Sequence, residues 1–522
     1  MSIYERKQAS PPMVQELEHQ PCQGSSQDDA YLARMGKRPV LKHLSIAWQR
    51  NFSLVSMIGF CCTILVTWEA IPVLFIQSFQ NGGLAGSVYS YIIVWIGVTA
   101  TFVVISELVS MAPTSGGQYH WCSMLAPPSA MKLLSYITGE SIRWLGAIGW
   151  QATFAACIYL SGTLLEGLII LTNPGYTPMP WRRTLYSFVT ALFDGSINIV
   201  GGKLLPRFEA QHRTAAEVFT VFLNEGHWPT QGLSVLVGMI GPVFAFAGGD
   251  AAVHIVEEMT NAATAVPIAL MTSTFMNGAL GFGILLALCF CIGNIQEVLE
   301  APAGMHFIAI FHHATGSVAG TTAAATIIYV MTICCSVGAH ASASRQLWAF
   351  ARDRGVPGWR IWREVNPETA IPTNTVILTV AVACSLNLIN IGSDVAFNSL
   401  CSMASSGLYL SYMVATGLLL YRRCTDGIAE PHSGEQTMIN TAGAKLVWGP
   451  FRIRGICGIL INAFSLAYMT IATFFSFWPP INNVTVETMN YSVVGTFGVV
   501  ILSLFYYGVR AKNVYSGPVI EI

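Results

Sequence analysis

The sequence predicts an all-α protein that crosses a membrane many times. Three observations carry that prediction. Of its 522 residues, 53% are hydrophobic and only 10% are charged, where a soluble domain carries about 25% charged residues. Apolar stretches of the length that spans a hydrocarbon core of about 30 Å recur along the chain. Lys and Arg crowd into some connections and are missing from others, as in loops sorted to two sides of a bilayer.

The first 45 residues, rich in Gln, Ser and Pro, are a predicted disordered tail without a cleavable signal peptide. Eleven spans follow: Phe52–Ile76, Val88–Met111, Trp144–Leu171, Thr184–Gly201, Gly232–Val256, Val266–Ile292, Val318–Ser344, Ile371–Ile391, Val395–Tyr421, Ile456–Trp478 and Tyr491–Val509. Together 46–510 form one membrane domain, and 511–522 a short cytoplasmic tail. Arg34, Lys37, Arg38, Lys42 and Arg50 put the N-terminus inside; the loop Gln77–Ser87 has no Lys or Arg and is outside. Arg345–Arg363, and then Arg422, Arg423 and Lys445, are inside. The loop 479–490 lacks Lys and Arg and holds the glycosylation sequons that start at Asn483 and Asn490, which places it outside.

These sides require an even number of crossings between Met1 and Ala351, but only seven spans lie there. The linker 202–231 offers one apolar piece, Val218–Leu223. As a helix it covers roughly 9 Å, far short of a bilayer. One spanning segment is therefore expected to be absent.

Several classes drop out. A net charge of −1 gives no support to nucleic-acid binding. The 13 cysteines show no metal spacing and are expected as small core residues. No nucleophile, acid–base pair or metal cluster points to an enzyme or a cofactor. His312-His313 is expected in a solvated outer loop.

Glycines mark where helices could break. Gly59 lies in Ile58-Gly59-Phe60-Cys61, and Gly248-Gly249 precede Asp250. Broken backbone inside a membrane is tolerated only around a cavity, while glycines also serve close helix packing. Asp250, His254 and Glu258 follow at i, i+4 and i+8, on one helix face. They could relay a proton or form a gate, and Glu257 and Glu258 could pair with Arg345 or Arg352. Glu107 ends a greasy helix before Met111–Trp121, where Pro113 stops the helix and Gly116-Gly117 let the loop pass tightly. Tyr119, His120 and Trp121 are expected to restart an interfacial helix, and Glu107 to form an ion pair. Glu69, Gln151, Glu166 and Asp394 are expected to line the bundle interior.

The chain resembles the amino acid–polyamine–organocation transporter superfamily, and within it the fungal amino acid/choline permease branch. The resemblance rests on Ser56–Phe60, Ser106-Glu107-Leu108 with Met111–Trp121, Phe244-Ala245-Phe246 with Asp250, His254, Glu257 and Glu258, Asn261–Pro267, and Ala343-Ser344-Arg345 with Trp348–Gly355. It implies an inverted-repeat (LeuT-type) transporter fold, with substrate held between the repeats near the midplane. Gly59, Phe60, Cys61, Phe246, Gly248, Gly249 and Asp250 are then the expected substrate contacts, with Phe246 as lid or cage ring. Glu107, Asp250, His254, Glu258 and Arg345 are the expected gating or coupling groups. The implied function is a plasma-membrane symporter for an amino acid, gamma-aminobutyrate or choline, working by alternating access with protons. Relatives have twelve helices, and the usual fifth is missing here, between Glu209 and Phe219. That gap keeps open a transport-dead paralogue, a sensor or a truncated product.

Overall fold

The chain's apolar stretches become helices because a backbone in hydrocarbon must satisfy its own N–H and C=O groups. A computed structural model describes residues 54–511 except 66, 115, 127–130, 174–175, 198–213, 257–258, 260, 302–305, 367–370, 390–395, 431–439, 441–445 and 487; within it the side chains of 119, 131–144, 193–197, 396 and 511 are not described. The expected terminal tails, Glu257, Glu258 and Asp394 therefore fall outside the described residues, apart from Ala511.

Each expected span contains a helix. In chain order they are α1 Leu54–Leu65, α2 Thr67–Met111, α3 Gln118–Leu125, α4 Met131–Thr172, α5 Pro180–Ile197, α6 Ala215–Thr220, α7 Gln231–Gly238, α8 Ile240–Ala245, α9 Ala251–His254 and α10 Ala262–Cys291. Then come α11 Ile295–Glu300, α12 His306–Thr315, α13 Val318–Arg352, α14 Trp359–Trp362, α15 Thr373–Leu388, α16 Ala396–Cys424, α17 Gly455–Ser476 and α18 Ser492–Tyr506. The two-residue strands β1 Ile428–Ala429 and β2 Leu446–Val447 pair in parallel. Among the described residues, 7 helical segments are long and apolar enough to cross a membrane; Gln231–Ala245 and Thr373–Leu388 are apolar but shorter.

The loop expected at Gln77–Ser87 is not a loop. Helix α2 continues to Gly82 and breaks at Gly83, with φ 65° and ψ −160°, a conformation open to glycine and costly for a side chain. The chain reverses there. A methyl group placed on Gly249 would touch both Leu65 and Phe102. Those residues would stand roughly 55 Å apart on one straight helix. The turn is held by Ala85 N donating to Val221 O at 3.0 Å.

Helix α5 runs antiparallel to α4. Arg183 Nε meets Glu166 Oε2 at 2.7 Å, and Ser187 lies against Gly162 one turn further along. Ile197 therefore points toward the end where α4 starts. Thr214 lies toward the other end. Glu225 N donates to Gln80 O at 2.9 Å and Asn482 N to Gly226 O at 2.8 Å. Val73 packs with Leu160 and Leu164, so Gly82 and the C-terminus of α4 share that end. Residues 214–230 form only the short α6 and irregular chain.

Close crossings use small residues, as in other membrane bundles. Gly149 of α4 and Gly407 of α16 meet so closely that a Cβ on Gly407 would stand 3.0 Å from Gly149 Cα. The cysteines among the described residues are free, and most are buried or half-buried, as expected of small core residues. Of the two sequons, only Asn483 is exposed. Asn490 is 5% exposed. Its Nδ2 donates to Ser476 O at 2.8 Å, to Trp478 O at 3.1 Å and to Ser402 Oγ at 3.2 Å, so that sequon is a structural asparagine. His312 and His313 sit in α12 rather than in a loop, and His313 Nε2 lies 3.3 Å from Glu297 Oε2.

Candidate functional site

Two adjacent glycines make a poor helix interior, and the fifth expected span breaks at them. Helix α8 ends at Ala245, α9 begins at Ala251, and 246–250 form turns. Gly248 takes φ +86°, and Trp150 Cη2 lies 3.2 Å from where its Cβ would stand.

Helix α1 meets this break: Ile64 packs on Gly248 and Leu65 on Gly249. Cys335 Sγ lies 3.4 Å from Ile64 O. The break expected at Ile58–Cys61 is thus corrected: α1 is continuous through Gly59, Phe60 and Cys61. Gly59 is exposed with open space at its Cβ position, Phe60 is half-buried and Cys61 is buried.

The break gathers buried polar groups. Asp250 is 0% exposed, His254 2% and Gln118 3%, so none of them is solvated. Asp250 stands at the N-cap of α9 yet makes no side-chain cap bond. Its Oδ2 instead accepts from Gln118 Nε2 at 2.8 Å and lies 3.4 Å from His254 Nε2. Oδ1 has no hydrogen-bond partner among the described residues, and the Tyr412 hydroxyl faces this carboxylate. The one-face reading of Asp250 and His254 therefore holds as a contact.

Gln118 was not expected from the sequence. The Met111–Trp121 stretch delivers it. Helix α2 stops at Met111, and Gly117, at φ +55°, lets the loop pass so close that a Cβ there would stand 3.1 Å from Val253 Cγ1 and 3.6 Å from His254 Cε1. Trp121 is not an interfacial anchor; it is 0% exposed, and its Nε1 donates to Ala112 O at 2.9 Å. Arg422 closes α3 by donating from Nε to Leu125 O at 2.5 Å and from Nη2 to Ala126 O at 2.6 Å, as a cation at a helix C-terminus does.

Aromatic faces surround the break. Trp150 meets His254 edge-on, with centroids 5.7 Å apart. Phe246 is buried 5.4 Å from the Tyr91 ring, and the Tyr91 hydroxyl donates to Gly278 O at 2.8 Å. Glu69, in the first turn of α2, is 1% exposed, and its Oε2 has no partner among the described residues. A lone acid in an apolar span was the available signal for it. Gln151 and Glu166 are also buried, the first donating to Thr379 Oγ1 at 3.0 Å and the second paired with Arg183.

The expected gating groups do not form one cluster. Glu107 is buried away from solvent, and its Oε2 meets Arg423 Nη2 at 2.6 Å while Oε1 accepts from Ile453 N at 2.5 Å. Arg423 lies 4.7 Å over the Trp448 ring, so Glu107 joins α2 to the end of α16 through Arg423 and to the chain before α17 through Ile453. Arg345 is half-buried on α13, the helix that α9 packs against. Glu258 lies outside the described residues. Among the described residues no group of three His, Cys, Asp or Glu could hold a metal ion.

The family model for amino acid permeases matches residues 184–499. A Macrophomina phaseolina protein named as an amino acid/polyamine transporter is 30% identical over 467 residues, covering 84% of this chain and 98% of that one. The choline transporter of Saccharomyces cerevisiae is 26% identical, over 89% of this chain and 82% of its own. Amino-acid permease 2 of Neurospora crassa is 24% identical, over 94% and 89%. The chain is a transporter of the amino acid permease family and not an enzyme.

Proposed function

We propose that this protein carries a small amino compound across the plasma membrane, binding it where Ile64 and Leu65 pack on the break at Phe246–Asp250. The observation that carries the reading is the interrupted helix at buried Asp250, with turns over 246–250. Free backbone groups at such a break hold charged parts of a substrate, and buried acids in a membrane are costly unless they serve one. Asp250 and Glu69 are the counter-charges for the amine. Trp150, Tyr91, Phe246 and Tyr412 supply ring faces that suit an ammonium or quaternary ammonium. Gly59, Phe60 and Cys61 stand farther along α1 and contribute less.

In this proposal, Asp250 and His254 couple transport to protons during alternating access between inverted repeats. Arg345 and Glu258 gate the inner end, and Glu107 positions it. The N-terminus faces the cytoplasm. The chain lacks the usual fifth spanning helix; the short α6 and irregular chain over 214–230 support this, and a transcript sequenced across Glu209–Ala215 tests it. A chain that inserts but never transports would instead be a sensor. The test of function is uptake of labelled choline, gamma-aminobutyrate, polyamines and amino acids in a host lacking its own permeases. Saturable uptake of one class supports the reading, and a well-inserted chain that takes up none contradicts it.

A further inference from the structure

We infer that the arginine-lined cavity at the end of α16 and the start of α17 is a binding site for a phosphate group. The cavity measures about 300 Å³ and is bordered by Arg422, Arg423, Arg452 and Arg454. Asp426 and Glu430 also border it. Glu430 Oε2 takes Arg452 Nη2 at 2.5 Å, and Glu107 takes Arg423. A positive excess remains.

The guanidinium groups are not used up by the protein. Arg452 has a side chain only 10% exposed and Arg423 only 6%. Yet Arg452 Nη1 and Arg423 Nε are buried without a hydrogen-bond partner among the described residues. Leaving such donors unmet is costly, and a phosphate oxygen meets them with charge-assisted bonds.

The backbone adds a second feature. Helix α17 is 22 residues long, and its N-cap Arg454 makes no side-chain bond to the first turn. Gly455 borders the cavity, and the space where its Cβ would stand is open. The first N–H groups of a helix are orphaned and carry the positive end of its dipole, which favours an anion. Trp448 walls the cavity.

The cavity sits where two membrane helices emerge, on the side that the loop charges assign to the cytoplasm. Basic pockets between spanning helices suit lipid phosphates. A lipid headgroup and free phosphate share this chemistry, and the experiment separates them.

The test uses the purified full chain in nanodiscs of phosphatidylcholine, with thermal melting as readout. In one arm inorganic phosphate is added against chloride at matched ionic strength. In the other, phosphatidic acid replaces part of the phosphatidylcholine. The site predicts a rise in midpoint of at least about 2 °C in one arm or both. A rise only with phosphatidic acid identifies the lipid as source; a rise with inorganic phosphate identifies the free ion. Arg452→Gln must remove the rise, and so must Arg454→Gln, an exposed position that leaves the fold intact. No rise in either arm, or an undiminished rise in Arg454→Gln, overturns the site.

Discussion

Gln118 Nε2 donates a 2.8 Å hydrogen bond to Asp250 Oδ2, tying the loop after α2 to the break between α8 and α9. Both side chains are buried. A bond to a carboxylate in such a place is worth about 1.5–3 kcal/mol. Gln118→Ala is therefore expected to cut uptake by roughly ten- to a hundredfold. Cell-surface labelling should find normal amounts of the variant. Unchanged uptake would mean that the bond only decorates the site.

Gly248 holds φ +86° against the Trp150 ring. An L-residue in the left-handed region costs about 1–2 kcal/mol. Gly248→Ala should insert normally and lose most uptake, because the turn that presents Asp250 shifts. Uptake assays on membranes with matched protein decide this, and wild-type kinetics would detach the break from transport.

The Glu107–Arg423 pair is structural in this account. Removing one partner of a buried pair costs about 3–5 kcal/mol, whereas removing both is much cheaper. Arg423→Met should lower the melting temperature in detergent, and adding Glu107→Gln should restore much of it. If the double variant melts no higher than the single one, the pairing carries little of the stability.

Much of this was legible in the sequence. Long apolar runs signal helices whatever packs on them, so each expected span holds a helix, although among the described residues 7 segments are long and apolar enough to cross. Gly248-Gly249 announced their break, and the i, i+4 spacing put Asp250 beside His254. Gly59, an obvious breaker, sits in intact helix. The turn at Gly83 is so tight that the helix leaves no polar loop to find. Gln118 and Trp121 look like ordinary loop and interface residues until tertiary packing buries them. Asn490 matched a sequon that its own hydrogen bonds occupy.

His306 opens α12, outside the spanning helices, and burial pushes its pKa down from 6.5 to about 4. The unfolded chain therefore binds the proton more readily in that window. Stability is fully present above pH 6.5 and is lost as pH falls toward 4. His306→Gln should flatten the fall in melting temperature between pH about 7 and about 5. An equally steep fall in the variant would assign the acid sensitivity to other groups.

The central claim is that an amino compound binds at the interrupted helix at 246–250 against buried carboxylates. Saturable uptake of the panel, compared among wild type, Asp250→Asn and Glu69→Gln at equal surface amounts, tests it most directly. The account predicts that wild type accumulates one class of compound and that each variant loses at least about tenfold in rate, roughly 1.4 kcal/mol of barrier. Wild-type rates in both variants would contradict it.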